Sequence, residues 1–516
     1  MIRLPSIFAD NMVAQRDSPI SVWGWASPGE KVRVSLGGAS AGAVAGADGK
    51  FMATLPPMPA GGPHELVVAG HSRLAVRNVM IGEVWVCSGQ SNMELPVSGG
   101  ANAAAEVAAA NYPMIRLFTI PRVLPVKGDG SGLGWKECLP DAAGNFSAVG
   151  YYFGRELYRR LGVSIGLIDS SWGGTRIEAW ISRASLVSDP HCRKEVEDYE
   201  AYLKTPKAME FVADYEKNGK RALVHPDPGN QGFSRGWAVP AFDDSTWPGM
   251  DLPGSWQKAG HDYSGVFWFR KEVDIPAAWA GKDLTLRVGA CDKHDTTYFN
   301  NEPVGATGWK VWDAWRTPRI YTVPGRLVCP GRNVIAVRVY SFRHQGGMIG
   351  PAHAMRLAPA GDSPDASIPL AGAWRYQVEH NFGFVDPAQS GQPPMGPNNP
   401  NSPYILYDSR VSPLLPYALR GVIWYQGEGN AARAYHYRSL MPLLIHDWRK
   451  AWGVGDFHFL IVQLANYRQV KDKPGESACA ELREAQLMTL SVPNTGLAVA
   501  IDIGDALDIH PKNKQE

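Results

Sequence analysis

Apolar and polar positions alternate in short runs over the first eighty or so residues. "ISVWGWA" (20–26), "KVRVSLG" (31–37) and "ELVVAG" (65–70) read as strands set between Gly, Pro and Asp turns. In "AGADGKF" (45–51), Asp48-Gly49 can supply the positive φ of a primed hairpin turn. This pattern predicts a small β-sandwich over residues 1–80.

The period then changes. "EVWVCSG" (83–89) is a buried-strand run, an alanine-rich helical stretch covers 101–110, and "MIRLFTI" (114–120) is a second strand. "VGYYFGRELYRRLG" (149–162) is amphipathic at helical spacing with Gly162 as its stop, and "SIGLIDSSWGG" (164–174) is a strand ending in a turn. Strands alternating with helices predict a parallel α/β sheet. Chemistry in such sheets gathers at the carboxyl ends of the strands.

Near residue 225 the alternation stops. "HPDPGNQGFSRGW" (225–237) reads as a linker, and "SGVFWFRKEVDI", "KDLTLRVG", "DTTYFNNEPVG" and "NVIAVRVYS" are strand-like, predicting an all-β unit over 227–390. After the Pro/Asn-rich "SGQPPMGPNNPNSPY" the strand–helix rhythm returns. It runs through "RGVIWYQGEGN", "YRSLMPLLIHDWRKAWG", "FHFLIVQLANY", "ELREAQLMTLSV" and "TGLAVAIDIG". The expected organisation is one α/β domain in two halves, 81–226 and 391–516, split by an all-β insertion.

Composition narrows the function classes. A chain of 516 residues suggests roughly three domains. Apolar residues at 45% and charged residues at 20% indicate a globular protein. A net charge of +1 without a long Lys/Arg run argues against a nucleic-acid partner. No stretch approaches the length of a membrane span. The 18 tryptophans suit either sugar stacking or β-cores. The six cysteines include no C-x-x-C pair, which argues against a zinc ribbon or redox motif, and Cys291–Cys329 is the expected pair if a disulfide forms. Residues 1–20 hold no apolar signal core. The expected location is periplasmic or secreted, with a signal removed ahead of Met1.

Candidate chemistry sits where the strands end. Ser91, in the Gly-Gln-Ser-Asn turn of "WVCSGQSNMELP" (85–96), needs a base before its hydroxyl becomes a nucleophile. Of 13 histidines, His510 in "IDIGDALDIHPKNK" has the fitting setting, a loop after the last strand with Asp502, Asp505 and Asp508 close by. Backbone N–H groups of Ser91 and the Gly173-Gly174 turn, with the side-chain amide of Gln426, are candidate oxyanion donors. Each feature alone is more often an ordinary turn or a local hydrogen bond. Met93 stands where the second glycine of a G-x-S-x-G elbow would be, so that elbow is absent.

Together, "SGQSNME", "SSWGGTRIEAW", "VIWYQGEGNA" and "DIHPKNK" resemble the sialate O-acetylesterase-like carbohydrate esterases of the SGNH hydrolase superfamily. The likeness covers 81–225 and 400–516, with the small β domain that often precedes them. It implies an SGNH-type (flavodoxin-like) three-layer α/β/α domain acting as a serine esterase. Such an enzyme removes acetyl groups from sugar hydroxyls without a cofactor or metal. Ser91 would be the nucleophile, His510 the base, and Ser91, Gly174 and Gln426 the oxyanion donors. "FDDSTWP", "LPGSW" and "FWFRKEVDIP" resemble a galactose-binding-like jelly roll. Such inserts occur in relatives that act on acetylated xylan or xyloglucan.

The chain departs from the family pattern in three places. Leu507 stands where an aspartate is usual, so Asp508 is the expected orienting carboxylate, with Asp505 or a backbone carbonyl as alternatives. The third block reads Gly427-Glu428-Gly429, displacing its asparagine to Asn430 or passing the role to Gln426. A closing helix would be expected beyond "KNKQE". Trp172, Arg176, Glu178 and Trp424 flank the motifs as candidate substrate contacts. Arg176 would meet either a substrate carboxylate or a structural partner, Glu178 or another residue, in an ion pair. The expected substrate is an acetylated plant cell-wall polysaccharide. A sialic acid acetyl ester, a lipid or peptide ester, or non-catalytic carbohydrate binding are the alternatives. Oligomeric state is not legible.

Overall fold

The computed structural model describes residues 1–516 except 123, 125–133, 207, 211–212, 214–224, 310, 312–313, 316, 343–344, 362–366, 384–395, 398, 468, 470–472 and 474. The chain forms two compact units, Met1–Ala208 with Met395–Glu516, and Met209–Pro394. The sequence-drawn limit at 390/391 falls outside the described residues.

The first unit begins with short strands. Lys31–Leu36 pairs antiparallel with Ala39–Val44 and Gly61–Ala69, and its side chains alternate between solvent and core, as a one-faced strand requires. The Asp48-Gly49 turn forms, with the Gly49 N–H donating to the Gly46 carbonyl at 2.9 Å. It is not a hairpin: the strand before it pairs with Lys31–Leu36, whereas the one after it, Lys50–Leu55, pairs with Ile20–Trp25 in a separate sheet.

A 17-residue strand, β1 (Arg73–Gly89), then serves two sheets. Its first half pairs antiparallel with Gly61–Ala69, and its second half runs into a parallel sheet. Residues 80/81, a domain limit by sequence pattern, lie inside this unbroken strand.

The parallel sheet is the scaffold for the site. After α1 (Ser91–Glu94) come β2 (Tyr112–Thr119), α2 (Ala148–Leu161), β3 (Ile165–Ser171), β4 (Gly421–Tyr425), α3 (Ala434–Trp452), β5 (His458–Val462), α4 (Ala478–Met488) and β6 (Thr495–Ala498). The strand order is β6-β5-β4-β1-β3-β2, every neighbour parallel, with Lys136–Cys138 antiparallel at the outer edge. The chain leaves β1 in one direction, returns through β3, and then continues on the other side with β4. That reversal makes the carboxyl end of β1 a topological switch point, where open α/β sheets form a crevice. The strands read as continuous apolar runs because both faces are covered, and all seven residues of β3 are buried.

Tryptophans fill this core. Trp180, Trp424 and Trp448 are fully buried, with Trp424 edge-on to both others at 5.9 Å between ring centroids. Among the described residues, no helix is long and apolar enough to cross a membrane.

The second unit holds two antiparallel six-stranded sheets around its own apolar core, in which the rings of Trp256 and Phe267 stack at 4.0 Å. The expected Cys291–Cys329 disulfide is not formed. Cys291 is buried in the Leu284–Asp292 strand, Cys329 is exposed in a loop, and both thiols are free.

Candidate active site

Three strand ends converge on Ser91. The β1 backbone finishes at Gly89, which lies flush against β4: a Cβ there would sit 2.1 Å from the Tyr425 carbonyl oxygen. Its φ of +136° is also one that side-chain-bearing residues rarely adopt. The Gln90 N–H donates to the Tyr425 carbonyl at 2.9 Å, and the Trp172 N–H donates to the Gly89 carbonyl at 3.0 Å. The serine turn is therefore bracketed by the ends of β4 and β3.

Ser91 opens α1, and its hydroxyl meets an imidazole from the far end of the sequence. His510 Nε2 lies 2.8 Å from Ser91 Oγ. Asp508 Oδ1 accepts the His510 backbone N–H at 2.9 Å and stands 3.3 Å from Nδ1. Asp505 Oδ1 instead accepts the Leu507 N–H at 2.8 Å. Of the two carboxylates considered, Asp508 faces the imidazole.

The Gly173-Gly174 turn packs on the serine. A Cβ at Gly173 would come within 3.2 Å of the Ser91 Cβ, while Gly174, at φ +71°, borders open space. Glu94, one turn along from Ser91, accepts the Gly173 N–H and pairs with Arg122 through its other oxygen. Among the described residues, the backbone N–H groups of Ser91 and Gly174 have no hydrogen-bond acceptor.

The loop that carries His510 has no regular structure over 499–516, so side chains hold it in place. Asn92 is the main clamp. Its Nδ2 donates to the Ile509 carbonyl at 3.1 Å and to Glu428 Oε1, while its Oδ1 accepts from Lys514 Nζ at 2.6 Å. The Lys514 ammonium also sits 4.9 Å from the centre of the Tyr425 ring. Burial pulls the Lys514 pKa down to about 8, against the opposing pull of Glu428 and Asp508. Burial likewise raises the Glu428 carboxyl above its ordinary value. Asn92, Glu94 and Lys514 did not figure among the sequence candidates, although all three lie inside the quoted motifs.

Several sequence candidates sit elsewhere. The Gln426 amide is already engaged within the protein. It is fully buried, and its Nε2 is spent on the Asn430 Oδ1 at 2.8 Å and the Thr175 carbonyl at 3.0 Å. Asn430 is also buried, accepting the Ile177 N–H at 2.9 Å and donating to Glu178 Oε2 at 2.9 Å. Neither amide is placed as an oxyanion donor. They instead lock the ends of β3 and β4 together. Trp424 has no exposed surface and is a core residue, not a substrate contact.

Glu178 is buried and pairs with Arg433 at 2.6 Å, so it too is removed from substrate. Arg176 donates to Glu195 Oε1 at 2.6 Å and to the Asn401 carbonyl at 3.1 Å, so it takes the structural ion pair that was the alternative to a substrate carboxylate, with Glu195 as partner in place of Glu178. Trp172 remains half-buried, with the Arg410 guanidinium 5.5 Å from its ring centre. Among the described residues one group has metal-ligand chemistry, Asp189, Cys192 and His436, with donor atoms within 4.8 Å of one another. Asp189 Oδ1 there already caps the Pro190–Leu203 helix through the His191 and Cys192 N–H groups.

Fold and site define an α/β protein with a serine–histidine pair set at the switch point of its parallel sheet. Comparison with known proteins narrows this further. Residues 367–515 match the family described as carbohydrate esterase, sialic acid-specific acetylesterase. The chain is 36% identical over 208 residues to the rat sialate O-acetylesterase, an alignment covering 36% of this chain and 38% of the relative. It is 34% identical over 209 residues to the human sialate O-acetylesterase, covering 36% and 39%. The chain thus spans less than two-fifths of the length of these curated relatives. The crystal structure of a carbohydrate acetylesterase from Xanthomonas citri superimposes over 100% of this chain and 72% of that one, with a TM-score of 0.57 and 26% identity. The chain is sialate O-acetylesterase-like, a relative of the carbohydrate esterases.

Proposed function

We propose that this chain is a carbohydrate O-acetylesterase with Ser91 as nucleophile. The observation that carries the reading is the 2.8 Å approach of His510 Nε2 to Ser91 Oγ. In this mechanism Ser91 Oγ attacks the acetyl carbonyl carbon as His510 takes its proton. Asp508 holds the imidazole and stabilises the imidazolium. The oxyanion is met by the backbone N–H groups of Ser91 and Gly174, since the Gln426 amide is spent elsewhere. The sugar alcohol leaves with the proton from His510, and water then releases acetate by the same path in reverse.

The same reading takes the α/β scaffold as SGNH-type, the second unit as a sugar-binding jelly roll, and the location as periplasmic or secreted. Two substrate classes stand side by side. An acetylated plant polysaccharide, xyloglucan or xylan, is one. An O-acetylated sialic acid is the other, and the names of the mammalian relatives favour it equally.

The test is acetate release from acetylated xyloglucan, acetylated xylan, O-acetyl sialic acid and p-nitrophenyl acetate in parallel, with a long-chain aryl ester as contrast. Ser91→Ala is expected to lower turnover by about 10⁴-fold or more while the fold persists. Near-normal turnover in that variant removes Ser91 from the chemistry. A chain that binds the glycans and releases no acetate is a binding protein, and preference for the long-chain ester makes it a lipid esterase.

A further inference from the structure

The outer face of the second unit carries two arginines in an arrangement that the esterase reading does not use. In the Leu284–Asp292 strand, Leu284, Leu286 and Val288 point into the core, so Arg287 points outward. The neighbouring strand Arg356–Pro359 places Arg356 directly opposite Arg287 in an antiparallel pair, and Pro318–Val323 places Ile320 on its other side. Directly opposed residues share a face and lie about 5 Å apart, where like charges destabilise the sheet.

Among the described residues, no carboxylate pairs with Arg287 or Arg356 and neither guanidinium makes a hydrogen bond. The exposed surface arginines Arg326 and Arg332 of the same unit, by contrast, each hold a glutamate. Arg319 is the buried neighbour, and Asp295 neutralises it at 2.6 Å. The two guanidinium groups line a concavity of about 160 Å³ that also includes His353 and the half-exposed Ile320, and among the described residues its wall holds no acidic side chain.

We propose that Arg287 and Arg356 bind the anionic group of an acidic glycan, a carboxylate or a sulfate ester carried on a sugar. Paired guanidinium groups match the two oxygens of such an anion in a fork geometry. The anion relieves the repulsion between the two cations, and Ile320 offers an apolar shelf beside it for the sugar ring. The site would hold an acidic polysaccharide on the second unit whatever the first unit does to it.

The full chain is titrated calorimetrically with a short oligogalacturonide, a sulfated galactan oligosaccharide and a neutral galactan oligosaccharide. At least one acidic glycan is expected to bind, the neutral one not, and affinity is expected to fall as salt rises. The tighter acidic ligand assigns the anion as carboxylate or sulfate. Arg287→Gln and Arg356→Gln are each expected to weaken binding about tenfold or more. Arg332→Gln, which removes the same charge from another sheet, is expected to leave binding unchanged. Free glucuronate or inorganic sulfate is expected to displace the bound glycan from the unaltered chain, a reading independent of any variant. Equal binding of the neutral glycan, no binding of either acidic one, or equal losses in Arg332→Gln overturns the proposal.

Discussion

At the scale of single residues, the site depends on what holds His510 rather than on His510 alone. Asn92 follows the candidate nucleophile directly and grips the histidine loop at Ile509 and Lys514. Removing that grip lets the imidazole wander, and small displacements of a reacting group cost rate steeply. Asn92→Ala is expected to lower kcat on p-nitrophenyl acetate by about 10–100-fold with little change in KM. Unchanged kcat would show that the loop is held without the clamp. Asn92→Asp serves as a contrast: it keeps the acceptor for Lys514 but sets an oxygen in place of the donor to Ile509 and Glu428, and is expected to lose at least as much kcat as Asn92→Ala.

Lys514 adds a pH signature. Its pKa is lowered from 10.5 to about 8 in the folded chain, so the unfolded chain binds the extra proton between those values. Stability from this group is therefore fully present above pH 10.5 and is lost as pH falls through about 8. Lys514→Met is expected to flatten that rise in denaturation midpoint between roughly pH 8 and 10.5. An unaltered slope would place the titration elsewhere.

At the scale of elements, the geometry is set by how closely strand ends approach. Gly89 joins β1 to the serine turn, and its missing side chain lets the Tyr425 carbonyl pass at a distance no Cβ tolerates. Gly89→Ala would need β4 to move and a φ unfavourable for alanine. It is expected to cost more than about 2 kcal/mol in chemical denaturation. It should also lower activity in the fraction that stays folded. A wild-type midpoint would mean that the strands separate without penalty.

This scale also marks the limit of pattern reading. The apolar runs of β1, β3, β4 and β5 and the helical spacing of α2 and α3 were legible because local periodicity reflects which faces are covered. That β1 continues across residue 80 into a second sheet was not legible, because a strand carries no mark of its partners. The Asp48-Gly49 turn failed as a hairpin signal for the same reason: turn chemistry is local, and pairing is not.

At the scale of the whole molecule, the first unit buries charge to build its site, and stability responds to pH. Asp169 in β3 is fully enclosed, and burial pushes its carboxyl from 3.8 up to about 6, despite hydrogen bonds from Ser171 and the field of Arg410. The folded chain thus holds a proton there that the unfolded chain has released. Stability from this group is fully present below pH 3.8 and is lost as pH rises through about 6. Asp169→Asn is expected to remove that loss, so the gap in unfolding midpoint between variant and parent should narrow as pH falls from 6 toward 4. A gap independent of pH would show that Asp169 stays ionised throughout.

What the sequence determined by itself was the mixed α/β class and the motifs that carry Ser91, His510 and Asp508, because apolar periodicity and residue chemistry are written locally. Which residues meet was settled by packing in three dimensions. It brought positions 91 and 510 within 2.8 Å, turned Gln426, Asn430, Glu178 and Trp424 into the buried frame of the site, gave Arg176 to Glu195, and set Arg287 opposite Arg356. The physical reason is that burial and partner choice depend on the packing of distant segments. A polar side chain beside a motif looks the same in sequence whether it faces substrate or closes a hydrogen bond inside the core.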